Sequence, residues 1–208
     1  MRQHEYSILG GFNRAKIGHW IGVLAALLSS VLIGILIFLI KLAEHFGWTN
    51  DLPPLIFWPI GAGVIYFALY YYFDNYFWRL EKISGLLKVP DLSGSWKCVG
   101  VSVRADKTLA EEWHAEIEII QSWDLIRVRL RTEQSASNST TAALIFDAAD
   151  GYRLMYSYKN EPKATQQDLQ EHRGFAELTF SKDLQSAEGE YFNGIRRFTF
   201  GTMKLSRG

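Results

Sequence analysis

The chain has 208 residues, of which 22 are Lys or Arg and 22 are Asp or Glu, so its formal net charge is zero. A zero net charge argues against general nucleic-acid coating, because phosphate affinity comes mainly from surplus Lys and Arg. The single cysteine, Cys98, excludes an intramolecular disulfide framework and a cysteine-rich zinc site. The neutral average nevertheless sums two unlike parts, residues 1–89 and 90–208.

An uncharged run from Ile17 to Ile40 dominates the first part and predicts a membrane-spanning helix. The run exceeds the roughly 20 apolar residues that a helix needs to cross the hydrocarbon core of a bilayer. It is also longer than the apolar region of a secretory signal peptide, and no small-residue cleavage site follows it. We therefore expect a span over residues 17–40 rather than a cleaved leader.

The same run carries a small residue at every fourth position, which places these residues in one stripe on a helix. Small side chains let two membrane helices approach closely where no hydrophobic force drives them together. The stripe predicts packing against the second span or against another subunit, and the sequence leaves both partners open. Its members are Gly18, Gly22, Ala26, Ser30 and Gly34.

A second uncharged run, residues 53–73, follows after a short link and predicts a second span. Pro53, Pro54 and Pro59 lie near its start, and tyrosines crowd its end. Prolines disturb a helix least in its first turn, and aromatic residues are typical of the two membrane interfaces. The two spans are therefore predicted to form a hairpin within residues 1–89.

The positive charges beside the two spans predict the orientation of the hairpin. Lys and Arg flank the spans on the side of the chain ends, whereas the link between the spans contains only Lys41. Because positive charge is retained on the cytoplasmic side, both termini are expected in the cytoplasm. The flanking residues are Arg2, Arg14, Lys16, Arg79, Lys82 and Lys88.

Residues 90–208 are predicted to form an all-β domain, because period-2 segments rich in β-branched and aromatic residues recur throughout. The fold class expected for the chain is a membrane α-helical hairpin followed by an eight-stranded antiparallel up-and-down β-barrel. Eight strands are about the number at which a barrel holds one small ligand. The predicted strands lie near Gly94–Arg104, Glu112–Gln121, Leu125–Thr132, Ser139–Asp147, Tyr152–Asn160, Arg173–Ser181, Ser186–Asn193 and Arg197–Leu205.

Two features of this domain are candidates for ligand binding. Tyr156, Tyr158 and Asn160 share one face of a predicted strand. This row either stacks on flat rings and hydrogen-bonds their edges, or simply lines a core, and the sequence leaves both open. Arg196 and Arg197 follow a predicted turn at the barrel rim, where they either bind phosphates or form a solvated turn.

The sequence gives no support for catalysis or for a metal centre. It contains no H-E-x-x-H, G-x-S-x-G or P-loop motif. His114 and His172 lie in separate predicted strands, without the helical pairing of a metal site. Glu116 and Glu118 alternate with isoleucines, which is typical of the solvated face of a strand. We therefore expect a protein that is not an enzyme and that holds no metal or cofactor.

Several short motifs and their order resemble those of one family of membrane proteins. The motifs are Leu92-Ser93-Gly94-Ser95-Trp96, Gln121-Ser122-Trp123, the Ser135–Thr141 run, Tyr156-Ser157-Tyr158-Lys159-Asn160-Glu161-Pro162, His172-Arg173-Gly174 and Gly189-Glu190-Tyr191-Phe192. With the membrane hairpin, they make nearly the whole chain resemble the CD-NTase-associated effectors of bacterial CBASS anti-phage systems. The resemblance is to the type with two transmembrane helices and a β-barrel, the CD-NTase-associated protein fifteen family.

The resemblance implies a function in antiviral defence. In that family a phage-activated nucleotidyltransferase makes a cyclic dinucleotide, and the barrel binds it; 3′,3′-c-di-AMP or a related species is the ligand expected here. The protein then forms a homo-oligomer, and its spans disrupt the bacterial inner membrane and cause abortive-infection cell death. The expected partners are therefore the cyclic dinucleotide, the lipid bilayer and further copies of the chain, and no DNA or RNA polymer.

The motif matches and the strand alternation together imply a set of ligand-binding residues. Aromatic rings would stack on or flank the bases, asparagine and serine side chains would read base edges, and arginines would neutralise the phosphates. The candidates are Trp123, Ser137, Ser139, Tyr156, Tyr158, Asn160, His172, Arg173, Tyr191, Asn193, Arg196 and Arg197. A one-residue slip of the predicted register would reverse which of them face the ligand.

Other functions remain open at this point. The motif Gly94-Ser95-Trp96 resembles the G-x-W start of lipocalin-type barrels, whose Trp usually plugs one end, so Trp96 is expected to be structural. The main alternative is a membrane-tethered lipocalin-like barrel that binds a lipid or another small ligand without toxic activity. The Ser135–Thr141 run argues against a purely apolar pocket. A third possibility is a membrane scaffold whose barrel binds protein.

Overall fold

The structure, a computed structural model, describes residues 3–47, 61–103, 109–163, 170–194 and 198–208. The chain divides into two compact units. One unit comprises Phe12–Trp78 and is helical, and the other combines Met1–Gly11 with Arg79–Gly208 and contains the β-sheet. The N-terminal residues therefore belong to the same unit as the C-terminal domain, although a long helix separates them in sequence.

The helical unit contains two described helices, α1 (Arg14–His45) and α2 (Ala62–Asn75), which pack on one another. Asn13 caps α1, because its side-chain oxygen accepts a hydrogen bond of 2.8 Å from the Ala15 amide. Within the described residues α1 alone is long and apolar enough to cross a membrane. The predicted span over residues 17–40 lies inside it.

The predicted second span is only partly covered by the structure. Helix α2 begins at Ala62, and residues 53–60 of the predicted span lie outside the described residues. The described part of α2 has 14 residues, fewer than the roughly 20 needed to cross a bilayer. Among the described residues there is thus one helix of spanning length, whereas the sequence predicted two.

The small-residue stripe of α1 is divided between two environments. Gly18 and Gly22 lie beside the Tyr66 ring of α2, so the first two turns of the stripe contribute to the packing of α1 on α2. Ala26, Ser30 and Gly34 are exposed, and the buried positions of α1 are instead Ala25 and Ser29. The contact between the helices follows an adjacent row, and the later part of the stripe remains uncovered.

The described residues of the other unit form a short helix, α3 (Glu81–Leu87), and nine strands. The strands are β1 (His4–Leu9), β2 (Gly94–Val103), β3 (Leu109–Gln121), β4 (Leu125–Arg131), β5 (Ser135–Asp147), β6 (Gly151–Pro162), β7 (His172–Phe180), β8 (Ser186–Asn193) and β9 (Phe200–Arg207). Strands β2 to β9 correspond to the eight predicted strands. The largest difference lies in β5, which begins at Ser135 and so includes the serine-rich run.

The sheet closes on itself as a barrel. Each strand from β2 to β9 pairs antiparallel with the next along the chain, and β9 pairs antiparallel with β2. This is the predicted up-and-down order. Inward-facing apolar residues such as Ile117, Val128 and Leu154 fill the middle of the sheet and are almost wholly buried.

The prediction of eight strands missed the ninth. Strand β1 pairs parallel with β5 over Tyr6–Leu9 and antiparallel with β4 at His4 and Glu5. Strands β4 and β5 pair with each other over only three positions, which end at Asn138, and from Ala142 onward β5 pairs with β1 instead. Strand β1 fills the resulting gap, which is a tertiary feature that the six-residue segment does not itself encode.

One end of the barrel is plugged by large buried side chains. Trp96 is fully buried, donates a 3.1 Å hydrogen bond to the Leu92 carbonyl and packs edge-on against Phe180. The Arg207 guanidinium lies 5.2 Å above the Trp96 ring. The expectation that Trp96 is structural agrees with this arrangement.

A buried glutamine ties the chain segments together at this closed end. The Gln121 side chain accepts from the Leu92 amide (2.9 Å) and donates to the Tyr6 hydroxyl and the Pro90 carbonyl (both 3.2 Å). The guanidinium of Arg79 donates to the Gln121 main-chain carbonyl. The two places where the chain leaves this unit, near residues 11 and 79, therefore both lie at the closed end.

Candidate ligand-binding site

The opposite end of the barrel holds a cavity of about 380 Å³. It is lined where β2, β4, β6 and β8 end and where β3, β5 and β7 begin, so its wall comes from nearly the whole circumference of the sheet. This volume falls within the roughly 300–1,000 Å³ range of small-molecule pockets. The end of the barrel remote from the chain exits is thus a candidate ligand-binding site.

The cavity brings together more than half of the predicted ligand-binding residues. The alternation predicted for β6 is observed, because Tyr156, Tyr158 and Asn160 are buried and face inward. Leu154, two residues before Tyr156 on the same face, lies in the core. The inward face of β6 therefore changes from core to cavity lining between Leu154 and Tyr156. The predicted residues that line the cavity are Ser137, Tyr156, Tyr158, Asn160, His172, Tyr191 and Asn193.

The other candidates lie elsewhere. Trp123 is fully buried in the β3–β4 turn at the closed end. Ser139 is buried away from the cavity lining, and its hydroxyl is bonded to His4 and to the Val128 amide. Arg173 is exposed on the outer face of β7. Arg196 and Arg197 lie outside the described residues.

Three aromatic rings of the site lie over glycines of the neighbouring strand. Gly100 pairs with Trp113, Gly174 with Tyr158, and Gly201 with Tyr191. A methyl group added at any of the three glycines would overlap the facing ring or come closer to it than ordinary van der Waals contact allows. Because the glycines have no side chains, the rings lie against the wall and leave the centre of the cavity open.

Trp113 is part of a hydrogen-bonded cluster that the sequence reading missed. Its indole N–H is shared between the Ser102 hydroxyl (3.1 Å) and the Tyr191 hydroxyl (3.2 Å), which are 2.7 Å apart. The Trp113 and Tyr191 rings meet edge-on, with centroids 5.6 Å apart. The signal was available, since Trp113 shares the inward face of β3 with Ile117 and Ile119, opposite the solvated glutamates.

A second cluster holds the ring of Tyr158. The Tyr158 hydroxyl donates to the Asn193 side-chain oxygen at 2.9 Å, and the Asn193 side-chain nitrogen donates to the Thr199 hydroxyl at 2.7 Å. The Asn193 amide is therefore engaged at both of its ends by the protein. Its role in the described structure is to orient the ring of Tyr158.

Three other polar groups of the lining are not hydrogen-bonded to the described part of the protein. The side chains of Ser137 and Asn160 and the Tyr156 hydroxyl have no hydrogen-bond partner among the described residues, although each residue is at most 6% exposed. Ser137 and Asn160 face each other on β5 and β6. Buried amides are normally hydrogen-bonded, so these groups are suited to binding a polar molecule.

Burial also sets the protonation of the groups around Tyr156. Burial raises the pKa of the Tyr156 hydroxyl, and the nearby Tyr158 and Cys98 raise it further. This hydroxyl is therefore a neutral donor at physiological pH. Burial raises the pKa of the Cys98 thiol to about 12, which keeps it protonated and unreactive. The described part of the lining contains Glu112 and Glu133 and no Lys or Arg.

Comparisons with known proteins match both parts of the chain. Residues 87–207 match a family model described as Cap15, cyclic dinucleotide receptor domain, and residues 15–79 match one described as Cap15, TM helices. The CD-NTase-associated protein 15 of Yersinia aleksiciae is 39% identical to this chain over 207 residues, which are 100% of the chain and 98% of the relative. Residues 4–9, which form β1, lie outside both matched ranges.

Proposed function

This chain belongs to the family of CD-NTase-associated protein 15, and from that premise we propose that it is a CBASS effector whose barrel cavity binds a cyclic dinucleotide. We further propose that ligand binding drives the chain to oligomerise. The membrane helices then disrupt the bacterial inner membrane and cause abortive-infection cell death. The proposal contains no catalytic step and requires no cofactor other than the activating ligand.

The single observation that carries the ligand assignment is the chemistry of the cavity. Flat rings at its wall suit the faces of nucleobases, and the amide of Asn160 with the hydroxyls of Ser137 and Tyr156 suits their polar edges. A purely apolar ligand would leave these buried groups unpaired, which costs about 1–3 kcal/mol for each group. This supports a nucleotide over a lipid.

Arginine side chains are the candidates for the phosphate contacts. Arg196 and Arg197 belong to the connection between β8 and β9, and β8 ends at the cavity-lining residue Asn193. We propose that these two arginines neutralise the phosphates. Arg173 lies on the outer face of the sheet beside Lys159, away from the cavity.

The membrane part of the proposal extends beyond the one described spanning helix. The chain is a membrane protein, with α1 as a span and a region matched by a model for more than one transmembrane helix. We propose that residues 53–73 form the second span and that both termini are cytoplasmic, as the distribution of Lys and Arg predicts.

Binding by the full-length chain in detergent tests the ligand assignment. Calorimetry with 3′,3′-c-di-AMP, cyclic GMP–AMP and cyclic di-GMP is expected to show saturable binding of at least one of them. Tyr191→Ala should weaken that binding about tenfold or more, because it removes a cavity ring worth about 1–3 kcal/mol. The matched control is Phe192→Ala, which removes the next ring along β8 from the outer face, where it is 54% exposed.

The same wild-type chain, expressed with a cyclase that makes the bound ligand, is expected to depolarise the bacterial membrane. No binding of any of the three dinucleotides would contradict the receptor function. Binding without depolarisation would leave a receptor and remove the membrane-disruption step. Binding of lipid alone would favour the lipocalin-like alternative.

Substitutions at the two ends of the small-residue stripe of α1 are expected to have different effects. Ala26→Leu with Ser30→Leu changes only exposed positions and should block ligand-induced oligomerisation and depolarisation while leaving dinucleotide affinity unchanged. Gly22→Leu should instead disturb the packing of α1 on α2 at Tyr66. Cross-linking in membranes and a potential-sensitive dye measure the two outcomes.

The control for the stripe is a substitution elsewhere on the exposed surface of α1. Leu27→Ala lies off the stripe at a position that is 61% exposed and should change neither oligomerisation nor depolarisation. Full toxicity of the Ala26 and Ser30 double variant would remove the exposed half of the stripe from the mechanism.

A further inference from the structure

Strand β1 contacts strand β5 close to the residues of β5 that line the cavity. His4 lies at the start of β1, and its Nε2 atom is 2.7 Å from the Ser139 hydroxyl of β5. Ser135 and Ser137, which line the cavity, precede Ser139 on the same strand. These two serines belong to the hairpin of β4 and β5, which forms one side of the cavity. Leu130 and Thr132 of the same hairpin also line it.

The hydrogen bonds around Ser139 form one consistent set. His4 Nδ1 is 2.9 Å from the Glu5 carbonyl, which can only accept, so in the neutral ring this nitrogen carries the proton. Nε2 then accepts from the Ser139 hydroxyl. The same hydroxyl oxygen accepts from the Val128 amide of β4 at 2.9 Å.

The Ser139 side chain thus replaces a main-chain contact that β4 and β5 lose. The two strands pair directly only between Arg129–Arg131 and Ala136–Asn138, and this pairing ends at the residue before Ser139. Val128, the next residue of β4, bonds to the Ser139 hydroxyl instead of to a β5 carbonyl. The imidazole of His4 orients that hydroxyl from the other side.

We infer that His4 is a positioning residue of the ligand cavity, acting through Ser139 to hold the β4–β5 hairpin that forms one wall. Strand β1 is therefore part of the receptor, although it precedes the membrane helix in sequence. In sequence, only residues 10–13 separate β1 from α1. The part of the inference that concerns ligand affinity rests on the proposed function.

The test compares His4→Ala with two control variants in the full-length chain. Tyr6→Phe removes a β1 hydroxyl that bonds to Ser122 and Gln121 at the closed end, so it weakens β1 docking away from the cavity. His4→Gln keeps an acceptor within reach of the Ser139 hydroxyl. Hydrogen exchange without ligand is measured at the amides of the three β4–β5 pairs, and dinucleotide affinity is measured by calorimetry.

We expect His4→Ala to speed exchange at these amides and to weaken binding of the best of the three dinucleotides, each about fivefold, as for the loss of one hydrogen bond. Tyr6→Phe should lower the melting temperature but change neither the exchange rate of these amides nor the dinucleotide affinity. His4→Gln should keep both the exchange rate and the affinity close to the wild-type values. Adding His4→Ala to Ser139→Ala should weaken binding no further, since the first acts through the second. By reciprocity, ligand should slow exchange in β1 of the wild-type chain.

The outcomes separate this inference from the proposed function. If no dinucleotide binds the wild-type chain, the receptor function fails, and the exchange measurement without ligand still decides whether His4 holds the hairpin. Unchanged exchange at the β4–β5 pairs in His4→Ala, with or without a loss of stability, would overturn the inference. So would additive effects of His4→Ala and Ser139→Ala on affinity.

Discussion

Replacing Asn160 with leucine is expected to weaken dinucleotide binding while making the empty protein more stable. The Asn160 side chain is 5% exposed and has no hydrogen-bond partner among the described residues, so those residues do not offset the cost of its partial desolvation. Leucine has a similar volume and removes that cost, which should raise the free energy of unfolding by about 1 kcal/mol. A binding residue that destabilises its own fold is a known consequence of selection for function.

The loss of affinity should be larger than the gain in stability. A base edge that meets leucine instead of the amide would be buried without its hydrogen bonds, at a cost of about 2 kcal/mol or about 30-fold in Kd. Chemical denaturation of the empty protein and calorimetry with the best dinucleotide measure the two effects.

Ser157→Leu is the matched control, because it adds a leucine to the outward face of the same strand and should leave the affinity unchanged. Wild-type affinity in Asn160→Leu would show that the amide does not read the ligand. A lower free energy of unfolding would show that ordered water already satisfies the amide.

The inward row of β6 was predictable from the sequence because strand alternation is a local property. Tyr156, Tyr158 and Asn160 alternate with Met155, Ser157 and Lys159, and the structure buries the first set. What the alternation left open was whether this face is core or cavity. That depends on how far the core extends along the barrel, and the transition after Leu154 is visible only in three dimensions.

The features that the sequence did not reveal depend on pairing between distant segments. Strand β1 requires the gap between β4 and β5 beyond Asn138, and a six-residue segment before a long helix carries no sign of that gap. Ser137 and Ser139 are both predicted ligand-binding residues of the serine-rich run, yet Ser137 faces the cavity whereas Ser139 bonds to His4 of β1. The register across β5 and its neighbours, rather than composition, distinguishes the two roles.

The glycine–aromatic pairs of the cavity also depend on pairing between distant segments of the chain. Gly100 and Trp113 are adjacent only because β2 and β3 pair in one register, so neither residue alone indicates a cavity. Once the register is known, the glycines explain how a barrel of eight main strands keeps space for a ligand among large rings. Each ring lies against a neighbouring strand where a side chain is missing.

Substituting Gly100 with alanine is therefore expected to abolish ligand binding through a single methyl group. The three atoms that an added Cβ would overlap all belong to the Trp113 ring, so the ring must leave the wall. Its shared hydrogen bond to Ser102 and Tyr191 would break, and the ring would move into the cavity. We expect a loss of affinity of more than about 30-fold and a loss of about 2 kcal/mol in stability.

A second substitution distinguishes a blocked cavity from a damaged fold. Adding Trp113→Ala to Gly100→Ala removes the overlap, so the free energy of unfolding should fall by less than the sum of the two single effects. Gly194→Ala is the control, because its Cβ would make only an ordinary contact beside the lining residue Asn193. Additive losses of stability, or wild-type affinity in Gly100→Ala, would show that the glycine does not place the ring. A coupling of about 1 kcal/mol or more would establish that the open cavity depends on an absent side chain in the neighbouring strand.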